Sequence, residues 1–179
     1  MIRVAILGST GYIGRSTLEV IRRHPGRYEV VALAGYQNVE LLAEQVEQFG
    51  PRTAVVADGS PELPASGGTE WVAGRSALLD VAARDDVDVV LNALVGSAGL
   101  EPTLAALDAG HRLALANKES LVAGGPLVLR AAAASGAEIV PIDSEHSAIL
   151  QCLEGHDAAS VQRLILTASG GPFRGKKPS

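Results

Sequence analysis

The run Pro141-Ile142-Asp143-Ser144-Glu145-His146-Ser147 sets two carboxylates one residue apart where an apolar, strand-like stretch ends. Side chains two apart on an extended strand lean to the same side, and hard divalent cations such as Mg2+ or Mn2+ take oxygen donors. Asp143 and Glu145 are therefore a candidate metal pair, with Ser144 between them a candidate for holding substrate. The plain alternative is an aspartate capping the helix that follows. A ligand role is open to His146, although its position reads as an exposed residue at a helix start.

A second pattern, Gly8-Ser9-Thr10-Gly11-Tyr12-Ile13-Gly14, has the form GxxGxxG and lies between a strand-like and a helix-like run. Gly8 permits a tight turn out of the strand, Gly11 lets backbone approach a diphosphate, and Gly14 lets the helix close on the sheet. The free N–H groups at the helix start, with the positive end of its dipole, favour phosphate. A glycine-rich turn with no ligand is the competing reading, and the strand before and helix after favour a dinucleotide. Where NAD enzymes carry an acid for the ribose hydroxyls, this chain reads Ala34-Gly35-Tyr36-Gln37-Asn38, with no acid until Glu40. The missing carboxylate favours NADPH, although Gln37 and Asn38 offer a 2′-phosphate only neutral hydrogen bonds.

Two further runs are ambiguous on their own. Ala116-Asn117-Lys118-Glu119-Ser120 follows a strand, at the edge where open α/β folds bind ligands. Asn117 could bond the nicotinamide side and Lys118 a substrate oxygen; taken alone, a helix cap with a solvated charged pair explains the run better. In Thr167-Ala168-Ser169-Gly170-Gly171-Pro172-Phe173-Arg174, Ser169 and backbone amides could cradle a phosphate, and a simple turn accounts for it equally well.

The elements that must position these residues alternate regularly. Strands are expected at Arg3–Leu7, Val30–Leu33, Thr53–Ala57, Val87–Ala93, Arg112–Ala116 and Glu138–Ile142. Between them, helices are expected at Tyr12–Arg23, Val39–Phe49, Ala77–Ala83, Leu100–Ala109 and Leu121–Ala134, with Asp58–Gly68 a loop. Near-continuous Val/Ile/Leu strands, each followed by a helix, predict an α/β fold with a doubly wound, mostly parallel sheet of Rossmann-like type. The pattern changes near residue 143, so a nucleotide-binding domain is expected over 1–142 and the start of an α/β catalytic domain over 143–179. A helix at Ser147–Leu153 and a strand at Arg163–Thr167 are expected there, and the abrupt ending reads as a truncation.

Composition narrows the function classes. A formal charge of −5 with no basic stripe argues against nucleic acid. The longest uncharged run, Val89–Leu100, is too short for a bilayer, and the chain starts directly in a strand. A single cysteine, Cys152, permits no internal disulfide, and a cytoplasmic setting is expected.

GSTGYIGRSTLEV, ANKESLV, PIDSEHSAI and LTASGGPFR, in that order, resemble the signatures of the 1-deoxy-D-xylulose 5-phosphate reductoisomerase family along almost the whole chain. The last three are specific; the glycine pattern alone is not. The resemblance implies an NADPH- and metal-dependent isomerisation and reduction of a sugar phosphate, by a homodimer when full length. It implies that Thr10, Gly11, Tyr12 and Ile13 bind the cofactor phosphates, Asn38 the adenosine side, and Asn117 and Glu119 the nicotinamide region. Lys118 would contact substrate, Asp143 and Glu145 the metal, and Ser144, Glu145 and Ser169 the sugar phosphate. The family commonly has a basic residue where Gln37 stands. Its third metal carboxylate, covering loop and C-terminal helical domain are expected beyond residue 179, so the chain alone should not turn over. Two rivals remain: a semialdehyde dehydrogenase or acyl-phosphate reductase, which needs a thiolate where Cys152 reads as a buried structural residue, and a non-catalytic NADP sensor, which has no use for Asp143 and Glu145.

Overall fold

In a computed structural model of the chain, the structure describes residues 1–58, 63–64, 67–167 and 174–175. Two units separate, Met1–Val140 and Pro141–Ser179. In the first, β1 (Ile2–Leu7), β2 (Tyr28–Gly35), β3 (Thr53–Val56), β4 (Glu70–Ala73), β5 (Val89–Asn92) and β6 (Arg112–Leu115) alternate with helices. The helices are α1 (Tyr12–Arg23), α2 (Val39–Phe49), α3 (Arg75–Ala82), α4 (Leu100–Asp108) and α5 (Lys118–Ser135). The sheet order is β4-β3-β2-β1-β5-β6, with β7 (Ile139–Pro141) completing that edge. Each pairing from β4 across to β6 is parallel.

The order reverses beside β1, the switch point at which open sheets present their ligand crevice. Register brings the strand ends into line: Leu7 faces Ala34 and Asn92, Gly35 faces Val56, and Val56 faces Ala73. The turns that follow these strands therefore share one edge.

Burial, not surface charge, holds this edge in place. Ile6, Leu7, Val31, Leu33, Val55, Val90 and Leu113 are fully buried, each contributing about 1.5–3 kcal/mol. Exposed ion pairs contribute about 0–1 kcal/mol each. Such pairs cluster near the strands' amino ends: Arg3 grips Asp88, and Arg84 and Arg52 both bond Asp86 at 2.7 Å. The Arg84 hydrogen bond, ahead of that from Arg52, lowers the Asp86 carboxyl to about 2. Arg3 does the same to Asp88, also to about 2.

Most expected elements form within a residue or two of their expected bounds. Strand β4 was not expected, because Glu70–Ala73 follows directly on a loop rich in Gly, Pro and Ser. Helix α5 starts at Lys118 rather than Leu121, capped by Asn117, and breaks its regular dihedrals at Gly124. A Cβ on Gly124 would stand 2.7 Å from Leu100, so the glycine permits close packing on α4.

The second unit departs further from expectation. Helix α6 (Ser144–Leu153) begins three residues earlier than expected and has no buried residue. Cys152 is exposed, against the expected buried cysteine, on a helix none of whose residues is buried. The expected strand at Arg163–Thr167 is absent, and that segment is exposed and without regular structure. A strand exists only as a member of a hydrogen-bonded pair, and none of the described residues of this unit supplies a partner. None of the described helices is long and apolar enough to cross a membrane.

Candidate functional site

The glycine turn follows β1 at the switch point. Gly8 has φ +88, and a Cβ there would stand 2.8 Å from the Ala93 carbonyl oxygen. A Cβ on Gly14 would overlap the Gly8 carbonyl and the Ser9 backbone. Both glycines are thus required sterically, as the spacing predicted. The Gly8 and Ser9 amides both donate to Ala34 O at 2.8 Å, which fixes the exit from β1. From α2, the buried Gln45 donates through Nε2 to Ser9 O at 2.9 Å. Sequence reasoning missed Gln45, since a glutamine on a helix carries no signal that it will turn inward.

The turn ends at Gly11, the N-cap of α1, which has no side chain to cap the helix and no acid in its first turn. Its leading amides are left for an anion, and no carboxylate opposes one. A cleft of about 560 Å³ opens beside this turn. Gly8, Thr10 and Gly11 line it with Tyr36 after β2, Arg75 and Leu78 of α3, and Leu94 and Val95 after β5. Its size is ordinary for a small-molecule site. Absent side chains, an uncapped helix start and an apolar cleft together fit a dinucleotide.

The remaining residues expected at the cofactor divide. Tyr12, which is 80% exposed, and Ile13 open α1. Gln37 donates through Nε2 to Asp58 Oδ2 at 2.8 Å, and Asn38 caps α2 by accepting from Leu41 N at 3.0 Å. A carboxylate therefore stands beside the turn after β2, invisible in sequence because Asp58 is distant along the chain. Lys118 and Glu119 are exposed in the first turn of α5.

Asn117 does not fit its expected role as a side-chain donor to the nicotinamide. It is 1% exposed, and its Nδ2 donates to Leu94 O at 2.7 Å and Gly96 O at 2.9 Å. Its Oδ1 accepts from Ser120 N at 3.0 Å and from the Ser120 hydroxyl. Beneath it, Asn92 donates to Gly99 O and Thr103 Oγ1, and its own Oδ1 accepts from Leu94 N. The amide is committed to the protein, and what it holds is the Leu94–Gly96 wall of the cleft.

In the second unit, Asp143 is the N-cap of α6, its Oδ1 accepting from His146 N at 3.0 Å. The His146 ring also contacts the Asp143 carboxylate at 2.8 Å, and the ring is about half exposed. Ser144 donates through Oγ to Glu145 Oε2 at 2.7 Å. The carboxylates thus straddle a helix start, not a strand end, so the expected strand alternation does not align them. Two hard oxygen donors still suit Mg2+ or Mn2+, but the described residues hold no group of three potential ligands. Ser169, expected at the phosphate, lies outside the described residues.

A parallel sheet with a glycine turn at its switch point, an uncapped first helix and a cleft beside both defines a dinucleotide-binding α/β domain. Comparison with known proteins narrows that class. The family model of 1-deoxy-D-xylulose 5-phosphate reductoisomerase matches residues 4–125, and that of the enzyme's C-terminal domain matches residues 139–179. The chain belongs to the 1-deoxy-D-xylulose 5-phosphate reductoisomerase family. It is 58% identical over 178 residues to the reductoisomerase of Nocardia farcinica, covering 98% of this chain and 43% of that protein. The Zymomonas mobilis reductoisomerase in complex with NADPH superposes with a TM-score of 0.85 at 42% identity, over 98% of this chain and 47% of that one. A reductoisomerase in complex with NADPH, fosmidomycin and magnesium gives 0.79 at 43% identity, over 87% and 40%. The chain spans somewhat less than half the length of these relatives. Family membership sets aside the thiolate-dependent rival.

Proposed function

We propose that this chain is the cofactor-binding part, with the first metal- and substrate-binding residues, of an enzyme that converts 1-deoxy-D-xylulose 5-phosphate to 2-C-methyl-D-erythritol 4-phosphate. The observation that carries the reading is the sterically required glycine turn opening on an uncapped helix, in a chain matched by both family models.

On this reading Thr10, Gly11, Tyr12 and Ile13 hold the NADPH diphosphate, the amides of Tyr12 and Ile13 at the helix start among the donors, and the turn at Gln37 and Asn38 flanks the adenosine. Asp143 and Glu145 ligate Mg2+ or Mn2+. When bound, the cofactor supplies a hydride and the divalent ion supplies Lewis acidity for an isomerisation and a reduction. The chain's own residues bind and orient. Lys118 brings a positive charge to a substrate oxygen, while Ser144, Glu145 and Ser169 hold the sugar phosphate. Glu119 lies on the nicotinamide side, and Asn117 acts there by fixing the Leu94–Gly96 wall. The apolar cleft wall limits water around the transferred hydride. The full-length form is proposed to be a cytoplasmic homodimer that acts on a small molecule; the charge of −5 disfavours nucleic acid.

The test is an assay of the full-length form with 1-deoxy-D-xylulose 5-phosphate, NADPH and Mg2+ or Mn2+, following loss of nicotinamide absorbance. Metal-dependent turnover is expected. A protein that binds NADPH yet shows neither turnover nor metal-dependent binding of fosmidomycin is a sensor, and the proposal fails.

A further inference from the structure

If the cleft takes NADPH as proposed above, something must balance the phosphate on its adenosine ribose. The turn after β2, the usual place for that contact, offers Tyr36, Gln37 and Asn38, none of them cationic. The surroundings there are unfavourable to an anion, because Gln37 is bonded to the Asp58 carboxylate at 2.8 Å. Asn38 has already committed its oxygen to capping α2. A phosphate dianion at this edge faces a carboxylate with no counter-charge from its own turn.

Arg75 is the sole charged side chain among the described residues lining the cleft. It opens α3 directly after β4. The parallel register aligns the ends of β2, β3 and β4, so Tyr36, Ala57 and Gly74 stand side by side along one edge, with Arg75 the next residue after Gly74. Two strand spacings separate the first from the last, about 10 Å, a distance an extended arginine largely covers. Its guanidinium is bonded to Glu101, with Nε at 2.8 Å and Nη2 at 2.7 Å. Both partners are at least half exposed, at 67% and 50%. Such a pair is held weakly, whereas an arginine fork on a phosphate makes strong, charge-assisted bonds.

We infer that Arg75 is the specificity residue for the cofactor's 2′-phosphate, leaving Glu101 to engage it and replacing a cation that the β2 turn lacks. The side chain reaches the phosphate from α3, across the adenosine, so the same selectivity is built from a different element of the sheet edge.

The test is a titration of the chain with NADPH and with NADH, by nicotinamide fluorescence, for the wild type, Arg75→Ala, Arg75→Lys and Glu101→Gln. The wild type should prefer NADPH. Arg75→Ala should weaken NADPH about 30-fold and leave NADH within about twofold, with melting temperature unchanged because the side chain is exposed. Arg75→Lys keeps the charge without the fork and should fall between. Glu101→Gln releases the guanidinium and should tighten NADPH alone. Equal loss of both cofactors in Arg75→Ala would put the arginine on the shared adenine or diphosphate and overturn the inference; so would an unchanged NADPH affinity, or a wild type without preference. A wild type that binds neither cofactor would instead overturn the dinucleotide reading itself.

Discussion

The glycine turn and the Asp143–Glu145 segment carry the chain's two chemical signals, and they rest on different physics. At the turn, function and fold make the same demand: Gly8 and Gly14 have no room for a side chain, and the bare backbone that results is also what a diphosphate needs. At the acidic segment the demands separate. Asp143 already has a structural task as the cap of α6, in a helix none of whose residues is buried. A motif that the core enforces predicts its own geometry; a motif that the core leaves alone does not. Substitutions in the first region should therefore affect fold and ligand together, and in the second they should come apart.

The largest effect is expected at Gly14. A valine there would drive its Cβ into the Gly8 carbonyl and Ser9 backbone, atoms that cannot step aside as a flexible side chain would. The cost is about 3 kcal/mol or more, a drop in melting temperature on the order of 10 °C. NADPH binding should be lost with it. Calorimetry and cofactor titration of Gly14→Val check both; a variant that melts normally but fails to bind would uncouple what the turn is argued to couple.

Asn117 comes next. Asn117→Ala takes the Nδ2 donor from the carbonyls of Leu94 and Gly96 and the Oδ1 acceptor from the Ser120 amide and hydroxyl, worth about 2 kcal/mol in all. Asn117→Asp is the sharper probe. The carboxylate still accepts from Ser120, but its second oxygen is buried against the Leu94 and Gly96 carbonyls and repels them, so stability should fall at least as far as in Asn117→Ala and the KM for NADPH in the full-length form should rise. If Asn117→Asp leaves that KM unchanged, the wall it holds does not shape the cofactor site.

The same contrast explains what could be read from sequence. Buried parallel strands are written as apolar runs, so Val4–Leu7, Val30–Leu33 and Arg112–Leu115 were legible, and so was the turn after the first. Strand β4 was not, because Glu70-Trp71-Val72-Ala73 is short, partly polar and adjoins a loop-like run. The cleft wall was harder still: Arg75, Gln45 and Asp58 become neighbours of the site only through the parallel register, which no local pattern records. Asn117 was visible as a cap, but its second task, holding the Leu94–Gly96 loop, is a contact across 23 residues and more than one element. Arg163–Thr167 misled in the opposite sense, since strand propensity there has no partner to act on among the described residues.

A smaller effect is expected from acid at the strands' amino ends, away from the glycine turn. The Asp86 carboxyl is held at about 2 by Arg84 and Arg52, against an ordinary 3.8. A carboxyl lowered on folding adds stability that is complete above its unfolded value and fades as the pH falls. The contribution should therefore be present at neutral pH and decline from about pH 4 toward 2. Asp86→Asn removes it, lowering the melting temperature at pH 7 by about 2 °C, since Asp86 remains partly solvated, and flattening the decline below pH 4. NADPH affinity should not move. A variant whose acid profile matches wild type would show that Arg84 and Arg52 are held by something else.

The smallest change in stability, with a full change in chemistry, is expected from Asp143→Asn. Asparagine caps a helix about as well as aspartate, so α6 should persist and the melting temperature should stay within about 1 °C. The charge that a divalent cation needs is gone, and Mn2+ affinity of the full-length form, read by the loss of free-ion signal in electron paramagnetic resonance, should fall at least about tenfold. Asp143→Ala removes cap and charge together and should both fray α6 and release the ion. If Asp143→Asn binds Mn2+ as the wild type does, the residue is only a cap, and the metal must be held by Glu145 with other donors. Because cap and ligand separate in this one substitution, it can show what no change at Gly14 could: whether a functional group here is independent of the fold that presents it.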